Sequence, residues 1–290
     1  MENSKYNNPA HWKAIHDQYT GSLKSVGRSG LSETYNRYKY KSEEETFSEA
    51  LSGSILSDFK KSQMDVLEIG AGIGYWLNVV NQKAKNINLN CALTALDLSE
   101  NALSEIKKNI PGTTCILENA GLVNPLFLDS RFDLVMANYC LHHITQTSQF
   151  MNALDLAVKS VRPGGYLLLM DCFIDRAYSP YYDVDTSEYK GSGLSRPLKI
   201  VDKVCDENFM RRIYMADPIS YLMNNVLETD SEQEYRVKSF IWKIMHKVYK
   251  SDLASWCVMP FIFRIDKALK AAHKGYSTRL VIYQKQGMLK

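Results

Sequence analysis

The sequence predicts an α/β protein with a doubly wound, mostly parallel sheet, an N-terminal helical cap and an inserted helical lid. Strand-like and helix-like segments alternate from about residue 64 onward, which is typical of a parallel sheet with helices on both faces. Within this alternation, a short apolar strand runs directly into three closely spaced glycines. The chain has 290 residues, of which 45% are hydrophobic, so it can bury a large core and is not a disordered protein.

Apolar runs and helix breakers predict the individual elements. Strands are predicted at residues 64–69, 91–96, 113–117, 132–137, 166–170 and 277–284. Helices are predicted at residues 75–82, 99–109 and 148–161. Ser99 supplies an N-cap for the second of these helices, Pro111 and Gly112 follow its end, and R-P-G-G at residues 162–165 ends the third.

The same pattern divides the chain into four regions. We expect a helical cap at residues 1–60, a ligand-binding core at 61–172, an inserted lid or substrate region at 173–275 and the final strand of the core sheet at 276–290. An insertion before the last strand lies over the carboxyl ends of the strands, where ligands bind in open α/β sheets. The candidate substrate contacts in this lid are Tyr178, Tyr181, Tyr182, Asp183, Asp185 and Tyr189.

The three glycines that follow the first strand are Gly70, Gly72 and Gly74. Gly70 permits a tight turn, Gly72 lets a ligand approach the backbone, and Gly74 lets the following helix pack closely. The spacing disfavours a nicotinamide oxidoreductase, because Tyr75 stands where the dinucleotide fingerprint needs its third glycine. Asp97 ends the second strand, and a carboxylate there can accept hydrogen bonds from both hydroxyls of a ribose.

Four segments, taken in chain order, resemble class I S-adenosylmethionine-dependent methyltransferases. They are E-I-G-x-G-x-G at residues 68–74, the acid Asp97, N-x-x-L-H-H-I at residues 138–144 and R-P-G-G at residues 162–165. The resemblance covers residues 62–172 and the last strand. It implies a Rossmann-like fold and an enzyme that uses S-adenosylmethionine as its methyl donor.

The resemblance also implies which residues bind the cofactor. They lie in the glycine loop and at the strand ends: Glu68, Gly70, Ala71, Gly72, Gly74, Asp97, Leu98, Asn119, Ala120 and Asn138. Glu68 would hold the turn or a water near the amino group of the cofactor, and Leu98 would face the adenine. Asn119 stands where many relatives carry an Asp that accepts from the adenine amino group. No set of metal ligands is predicted.

Three residues are candidates for the chemistry. Methyl transfer from a sulfonium needs mainly an acceptor aligned in line with the methyl group, but a hydroxyl acceptor must also lose its proton. His142 and His143 follow the fourth strand, near the expected position of the methyl group, and only one of two successive side chains can readily face the pocket. Asp171, at the end of the fifth strand, is a competing base or acceptor-binding residue. Catalysis by proximity alone, or by a base from the lid, stays open.

These motifs predict methyl transfer to a small-molecule or glycan-like acceptor, most simply at oxygen. Residues 25–28 and 35–38 resemble the N-terminal segment of bacterial methyltransferases that modify glycans or secondary metabolites. N- or C-methylation of a metabolite and methylation of protein or RNA are alternatives within the enzyme class. A non-catalytic cofactor-binding scaffold is the alternative outside it.

The basic residues are concentrated near the C-terminal end. The net charge of +3 divides into 12 basic and 4 acidic residues in 231–290, against 23 basic and 28 acidic residues before them. Residues 234–250 predict an amphipathic helix whose apolar stripe is Val237, Phe240, Ile241, Ile244, Met245 and Val248. Such a section, spanning residues 235–275, could contact an anionic membrane or a lipid-linked substrate, or pack on the core or in a homodimer. No nucleic acid is expected as a partner, because no RNA-binding module is present.

The cysteines indicate the compartment. Six cysteines, none in a C-x-x-C pair, exclude a disulfide scaffold and a zinc ribbon. Several of them fall in predicted strands, which favours reduced thiols and a cytoplasmic protein. The longest apolar run, residues 256–263, is too short to span a bilayer.

Overall fold

The computed structural model describes residues 8–19, 22–180, 196–274 and 278–287. The helices are α1 (Asn8–Gln18), α2 (Glu33–Ser54), α3 (Tyr75–Lys85), α4 (Glu100–Asn109), α5 (Thr147–Ser160), α6 (Leu198–Glu207), α7 (Glu232–Lys250) and α8 (Asp252–Ala271). The strands are β1 (Gln63–Ile69), β2 (Asn90–Asp97), β3 (Thr114–Leu117), β4 (Phe132–Asn138), β5 (Val161–Asp171), β6 (Phe173–Ile174), β7 (Arg196–Pro197), β8 (Met210–Ala216) and β9 (Arg279–Lys285).

Seven of the strands form one sheet in the order β3-β2-β1-β4-β5-β9-β8. The first five are parallel, whereas β9 runs antiparallel to both β5 and β8. All seven residues of β4 are buried, as expected for a central parallel strand with helices on both faces. The predicted α/β class and mostly parallel sheet are therefore confirmed, and the carboxyl ends of β1, β2, β4 and β5 meet along one edge.

Two apolar layers cover the sheet. Phe47 of α2, Trp76 of α3 and Ile106 of α4 belong to the cluster on one face. Phe150 of α5 and Val201 of α6 belong to the cluster on the other. This arrangement makes the sheet doubly wound, as the alternation of elements predicts.

Two boundaries differ from the sequence-based prediction. The segment 173–275, predicted as a lid, contributes β8 to the core sheet and α6 to one of its covering layers. The strand was missed because β8 lies at the edge of the sheet, where Arg211 and Arg212 are exposed and hide the apolar pattern. In addition, β5 begins at Val161, so that R-P-G-G at residues 162–165 lies within the strand and does not precede it.

The cap and the remaining part of the lid form a third apolar cluster above the sheet edge. Tyr35 of α2 packs on Tyr249 of α7 with ring centroids 4.7 Å apart, and Met259 of α8 joins the same cluster. The hydroxyls of Ser32 and Ser255 lie 2.8 Å apart in a buried hydrogen bond. The cap and the α7–α8 pair are thus packed on each other through buried contacts.

A buried arginine attaches the lid to the sheet. Arg279 of β9 is 2% exposed and contacts three carboxylates, those of Asp175, Asp217 and Glu228. The Arg279–Glu228 distance is 2.6 Å and the Arg279–Asp217 distance is 3.0 Å. Since burial of an arginine is tolerated only with such partners, this cluster fixes residues 217–228 against β9.

Helix α7 forms as predicted, but the predicted stripe is not its most buried face. Trp242 and Tyr249 are buried, whereas Val237, Phe240 and Ile244 are 56%, 62% and 50% exposed. Leu253, Trp256, Phe261 and Ile265 of α8 are exposed as well. We call these seven apolar residues the α7–α8 outer face. Within the described ranges, no helix has the length and hydropathy that crossing a bilayer requires.

Candidate functional site

The loop between β1 and α3 has a backbone that favours glycine. Gly70 has φ +68° and Gly72 has φ +52°, both in the left-handed region. A Cβ on Gly72 would lie 2.7 Å from Cγ1 of Val26 in the cap, and one on Gly70 would collide with Cys140. Glycine therefore lets the loop pass close to the cap and to the end of β4. Gly74, also at positive φ, packs against Ile106 of α4 and does not line the cavity described below.

Asp97 holds this loop from the end of β2. Its Oδ2 accepts a hydrogen bond from the Gly72 N–H at 2.8 Å, and its Oδ1 accepts from the Ser99 N–H at 2.9 Å. Burial raises the pKa of Asp97, and the two N–H donors oppose that rise. Each carboxylate oxygen can accept a further bond, so Asp97 remains able to bind a diol.

Glu68 ties three elements together beneath the loop. Its Oε2 accepts from the Leu77 N–H in the first turn of α3 at 3.2 Å, and its Oε1 accepts from the Asn138 amide at 3.0 Å. Burial raises its pKa to about 8. Through these contacts Glu68 stabilises the arrangement of β1, α3 and β4. Asn138 Oδ1 is buried, and among the described residues no donor reaches it, so it can accept from a ligand.

The loop and strand ends line one cavity, which we call the glycine-loop cavity. Of the residues predicted to bind the cofactor it is lined by Glu68, Gly70, Ala71, Gly72, Asp97, Leu98, Asn119, Ala120 and Asn138. The Asn119 side-chain oxygen accepts from the Gly121 N–H at 2.9 Å, so it is already engaged in a turn. The cap adds Trp12, His16, Val26 and Tyr40, which no sequence motif singles out as binding residues.

A second cavity of about 520 Å³ adjoins the first. The two share four lining residues, Trp12, Val26, Tyr139 and His143. Its other walls come from the cap, from the ends of β4 and β5, and from the lid segment 224–227 with His246 of α7. We call it the cap–lid cavity.

The catalytic candidates take different places around these cavities. His142 and His143 form a single helical turn after β4, with ring centroids 3.8 Å apart. His142 lines the cap–lid cavity, and its Nδ1 lies 2.5 Å from Oδ1 of Asp171. His143 lines both cavities and packs edge-on against Trp12 at 4.7 Å, and burial holds its pKa well below its usual value.

Asp171 is completely buried behind His142 and lines neither cavity. Its Oδ1 accepts from the Cys172 N–H at 2.7 Å, and its Oδ2 accepts from the His142 N–H at 3.2 Å. Ligand atoms of His142, Asp171 and Cys172 come within 4.8 Å of one another. Burial and the charge of Asp171 raise the pKa of the Cys172 thiol, which keeps it protonated and a poor metal ligand.

The predicted lid contacts lie elsewhere or cannot be placed. Tyr178 pairs with Thr229 through the backbone and packs on Tyr235 at 5.7 Å, away from both cavities. Tyr181, Tyr182, Asp183, Asp185 and Tyr189 fall outside the described residues.

Comparison with known families concerns the segment that contains the glycine loop. Residues 66–165 match the model of a family described as a methyltransferase domain. These residues form a methyltransferase domain. The protein is therefore an enzyme, and its cofactor is S-adenosylmethionine. No curated protein matches the chain in sequence.

Several solved structures are similar to this chain at low sequence identity. One is named "putative sarcosine dimethylglycine methyltransferase" from Galdieria sulphuraria: 10% identity, 96% of this chain and 98% of that chain covered, TM-score 0.53. Another is the [4+2]-cyclase SpnF, at 11% identity, with 83% and 80% covered and a TM-score of 0.50. A third is the N-methyltransferase NodS from Bradyrhizobium japonicum with S-adenosyl-L-homocysteine, at 13% identity, with 86% and 87% covered and a TM-score of 0.46.

The glycine-loop cavity fits S-adenosylmethionine on its own features. Asn138 Oδ1 offers a buried acceptor for a cationic amino group, and Asp97 offers a carboxylate at the position where ribose hydroxyls are bound. The absence of a Cβ at Gly72 leaves the loop backbone accessible beside Val26.

Proposed function

We propose that this methyltransferase methylates a hydroxyl oxygen of a small-molecule or glycan-like acceptor in the cap–lid cavity, with His142 as the general base. The observation that carries the proposal is the 2.5 Å approach of His142 Nδ1 to Asp171 Oδ1, on a histidine that lines this cavity. The negative charge of Asp171 favours a proton on the adjacent Nδ1, although the two atoms are not aligned for a hydrogen bond, and Nε2 is then the atom that accepts a proton.

The residues divide the work as follows. S-adenosylmethionine, when bound, supplies an electrophilic methyl group on its sulfonium. Nε2 of His142 removes the proton of the acceptor hydroxyl, and the buried carboxylate of Asp171 stabilises the imidazolium that forms. Asp171 is thus a positioning residue. Trp12, which lines both cavities, contributes a wall that excludes water where they meet.

The volume of the cap–lid cavity supports a small acceptor. About 520 Å³ lies within the usual range of roughly 300–1,000 Å³ for small-molecule sites. Elements from outside the family-matched region wall this cavity, namely the cap and α7. The His142 side chain is 13% exposed at this cavity, which a small acceptor enters more readily than a folded protein or RNA.

Variants of His142 and Asp171 test the proposal. Purified enzyme is incubated with methyl-labelled S-adenosylmethionine and a panel of phenols, hydroxy acids, sugars and amines, and the methylated atom is identified by NMR. His142→Gln is expected to lower kcat about 10²- to 10⁴-fold, to lose the fall of activity at acidic pH and to leave the affinity for S-adenosylmethionine unchanged. Asp171→Asn has a smaller effect of the same kind.

His246→Gln is the matched control, because His246 lines the same cavity from the lid. It is expected to keep the kcat and the pH profile of the wild type. An unchanged kcat and pH profile in His142→Gln would remove the general base from the proposal. Products methylated only at nitrogen or carbon would replace O-methylation, and binding of the cofactor without any transfer would point to a scaffold. The [4+2]-cyclase fold relative illustrates why the reaction must be measured, since fold alone does not fix chemistry.

A further inference from the structure

The cap–lid cavity has walls of one charge sign. Its described lining includes two cations, Arg28 and Lys39, and no Asp or Glu. It also includes four histidines, which are not counted as cations: burial lowers the pKa of His143 and of His246. A cavity lined by cationic groups with low-dielectric walls concentrates anions. The sign of the lining is therefore a property that an acceptor must match.

Arg28 is a fixed cation whose charge no described carboxylate neutralises. Its guanidinium donates to Oδ1 of Asn224 and lies 5.2 Å from the centroid of the Trp242 ring. Asn224 is 3% exposed and is itself held, because its amide donates to the Thr278 hydroxyl at 3.1 Å. A guanidinium has five N–H donors, so most of them stay available beside this neutral anchor.

The surroundings of Arg28 differ from those of Arg279, whose charge is neutralised by carboxylates. Arg279 has three carboxylates around its guanidinium. Arg28 is held by an amide and an aromatic ring, which orient it without cancelling its charge. An oriented, uncompensated guanidinium is the usual arrangement for binding a carboxylate or a phosphate.

Lys39 adds a second cation to the same cavity. It is 5% exposed, lies 2.5 Å from Glu43 Oε1 and 4.3 Å from the centroid of the Tyr139 ring. Burial lowers its pKa, the charge of Glu43 and its hydrogen bond oppose that shift, and the nearby charge of Arg28 adds to it. Glu43 also accepts from the Tyr139 hydroxyl, so its charge is shared between two partners. An anion beside Arg28 would relieve the repulsion between the two cations.

We infer that the acceptor carries an anionic group, a carboxylate or a phosphate, which binds to Arg28 with support from Lys39. The inference rests on the proposed function in one respect, namely that the cap–lid cavity holds the acceptor. Binding of the anion at one part of the cavity places the rest of the same molecule within the space that His142 lines, so it determines which part of the acceptor is methylated.

Anion binding is measured without turnover, on full-length protein saturated with S-adenosyl-L-homocysteine. Isothermal titration with inorganic phosphate, with benzoate and with neutral benzyl alcohol supplies the three probes. At least one anion is expected to bind, more tightly than benzyl alcohol and more weakly as salt is raised. Tighter phosphate binding specifies a phosphorylated acceptor, and tighter benzoate binding a carboxylic acid.

Two variants remove the charge in different ways. Arg28→Met is expected to weaken anion binding about 10- to 100-fold, the effect of losing charge-assisted hydrogen bonds. Asn224→Asp keeps the acceptor for Arg28 but places a carboxylate on it, so it is expected to weaken anion binding to a similar extent while the fold is retained. Lys243→Met, at an exposed lysine of α7, is the control and is expected to change nothing.

The inference is overturned if neither anion binds better than benzyl alcohol, or if both Arg28→Met and Asn224→Asp bind anions as the wild type does. Failure of the proposed function looks different, because His142→Gln is expected to leave anion binding intact. Anion binding that depends on Arg28, in an enzyme that methylates no hydroxyl, would reject the O-methylation and keep the anionic acceptor.

Discussion

Replacing Gly72 by alanine tests whether the glycine loop and the cap are fitted to each other around the cofactor. Two costs arise from one methyl group. At φ +52°, an alanine in the left-handed region costs about 1–2 kcal/mol. Its Cβ would also lie 2.7 Å from Val26 Cγ1, well inside normal contact, and such overpacking costs about 1–3 kcal/mol.

The contacts of Gly72 explain why these costs lower the affinity for S-adenosylmethionine. The Gly72 N–H is bonded to Asp97, and Val26 lines both cavities, so relief of the contact moves either the loop or the cap away from its place. Binding of S-adenosylmethionine must then return the displaced loop or cap to its original position. We expect Gly72→Ala to weaken binding at least about tenfold, which corresponds to about 1.4 kcal/mol.

A double-mutant cycle separates the two costs. Val26→Ala removes Cγ1, so the double variant Gly72→Ala/Val26→Ala keeps the backbone strain but loses the contact. It is expected to bind S-adenosylmethionine more tightly than Gly72→Ala alone, with a coupling of about 1–3 kcal/mol. Calorimetric titration of the four proteins, together with their thermal unfolding, gives the numbers.

Gly112→Ala is the matched control, because Gly112 has φ +88° and open space around its Cα. This variant should lower the unfolding temperature while leaving the cofactor affinity unchanged. The reasoning is refuted if the two substitutions are additive within about 0.5 kcal/mol, or if Gly72→Ala binds the cofactor as tightly as the wild type.

Two further predictions concern other parts of the molecule. Because the pKa of Glu68 is raised to about 8 in the fold, the unfolded chain loses this proton near pH 4.5 and the folded chain keeps it. The free energy of unfolding therefore falls by up to about 1.4 kcal/mol per pH unit as the pH rises from about 4.5 to about 8, and Glu68→Gln is expected to remove this fall. Urea unfolding of both proteins at pH 5 and pH 7.5 measures it. The prediction is contradicted if the free energy of unfolding changes between these two pH values by the same amount in both proteins. Contact of the α7–α8 outer face with an anionic membrane stays a prediction, which rests on the exposed Lys243 and Lys247 beside this face. The wild type should co-sediment with phosphatidylglycerol vesicles but not with phosphatidylcholine vesicles, and Trp256→Ser should lose this binding. Loss of self-association in the same variant would instead assign the face to a second copy of the chain.

The parts of the fold that could be predicted from the sequence are those set by neighbours in the chain. The run from β1 into Gly70, the N-cap at Ser99 and the position of Asp97 each follow from a few consecutive residues. Buried parallel strands also need continuous apolar runs, so β1, β2 and β4 are visible as patterns.

The parts that could not be predicted depend on residues brought together from distant segments. His142 and Asp171 are separated by 29 positions, and nothing in either segment shows that one side chain lies behind the other. The edge strand β8 was hidden by its exposed arginines. Trp12 and Val26 became cavity walls only through the folding of the cap over the strand ends. Arg28 lies in the segment 25–28 that resembles the N-terminal segment of bacterial methyltransferases, but nothing in that segment shows that its side chain lines a cavity.

The two cavities differ in origin, and this difference bears on how the enzyme acquires its specificity. The glycine-loop cavity is built mainly from residues 66–165, the segment that matches the family. The cap–lid cavity is built largely from the cap and from residues 224–246, which lie outside that segment. Substitutions at Arg28 should therefore change the acceptor without changing the cofactor. Substitution of Val26 should change the affinity for both ligands, because its side chain forms part of the wall of both cavities.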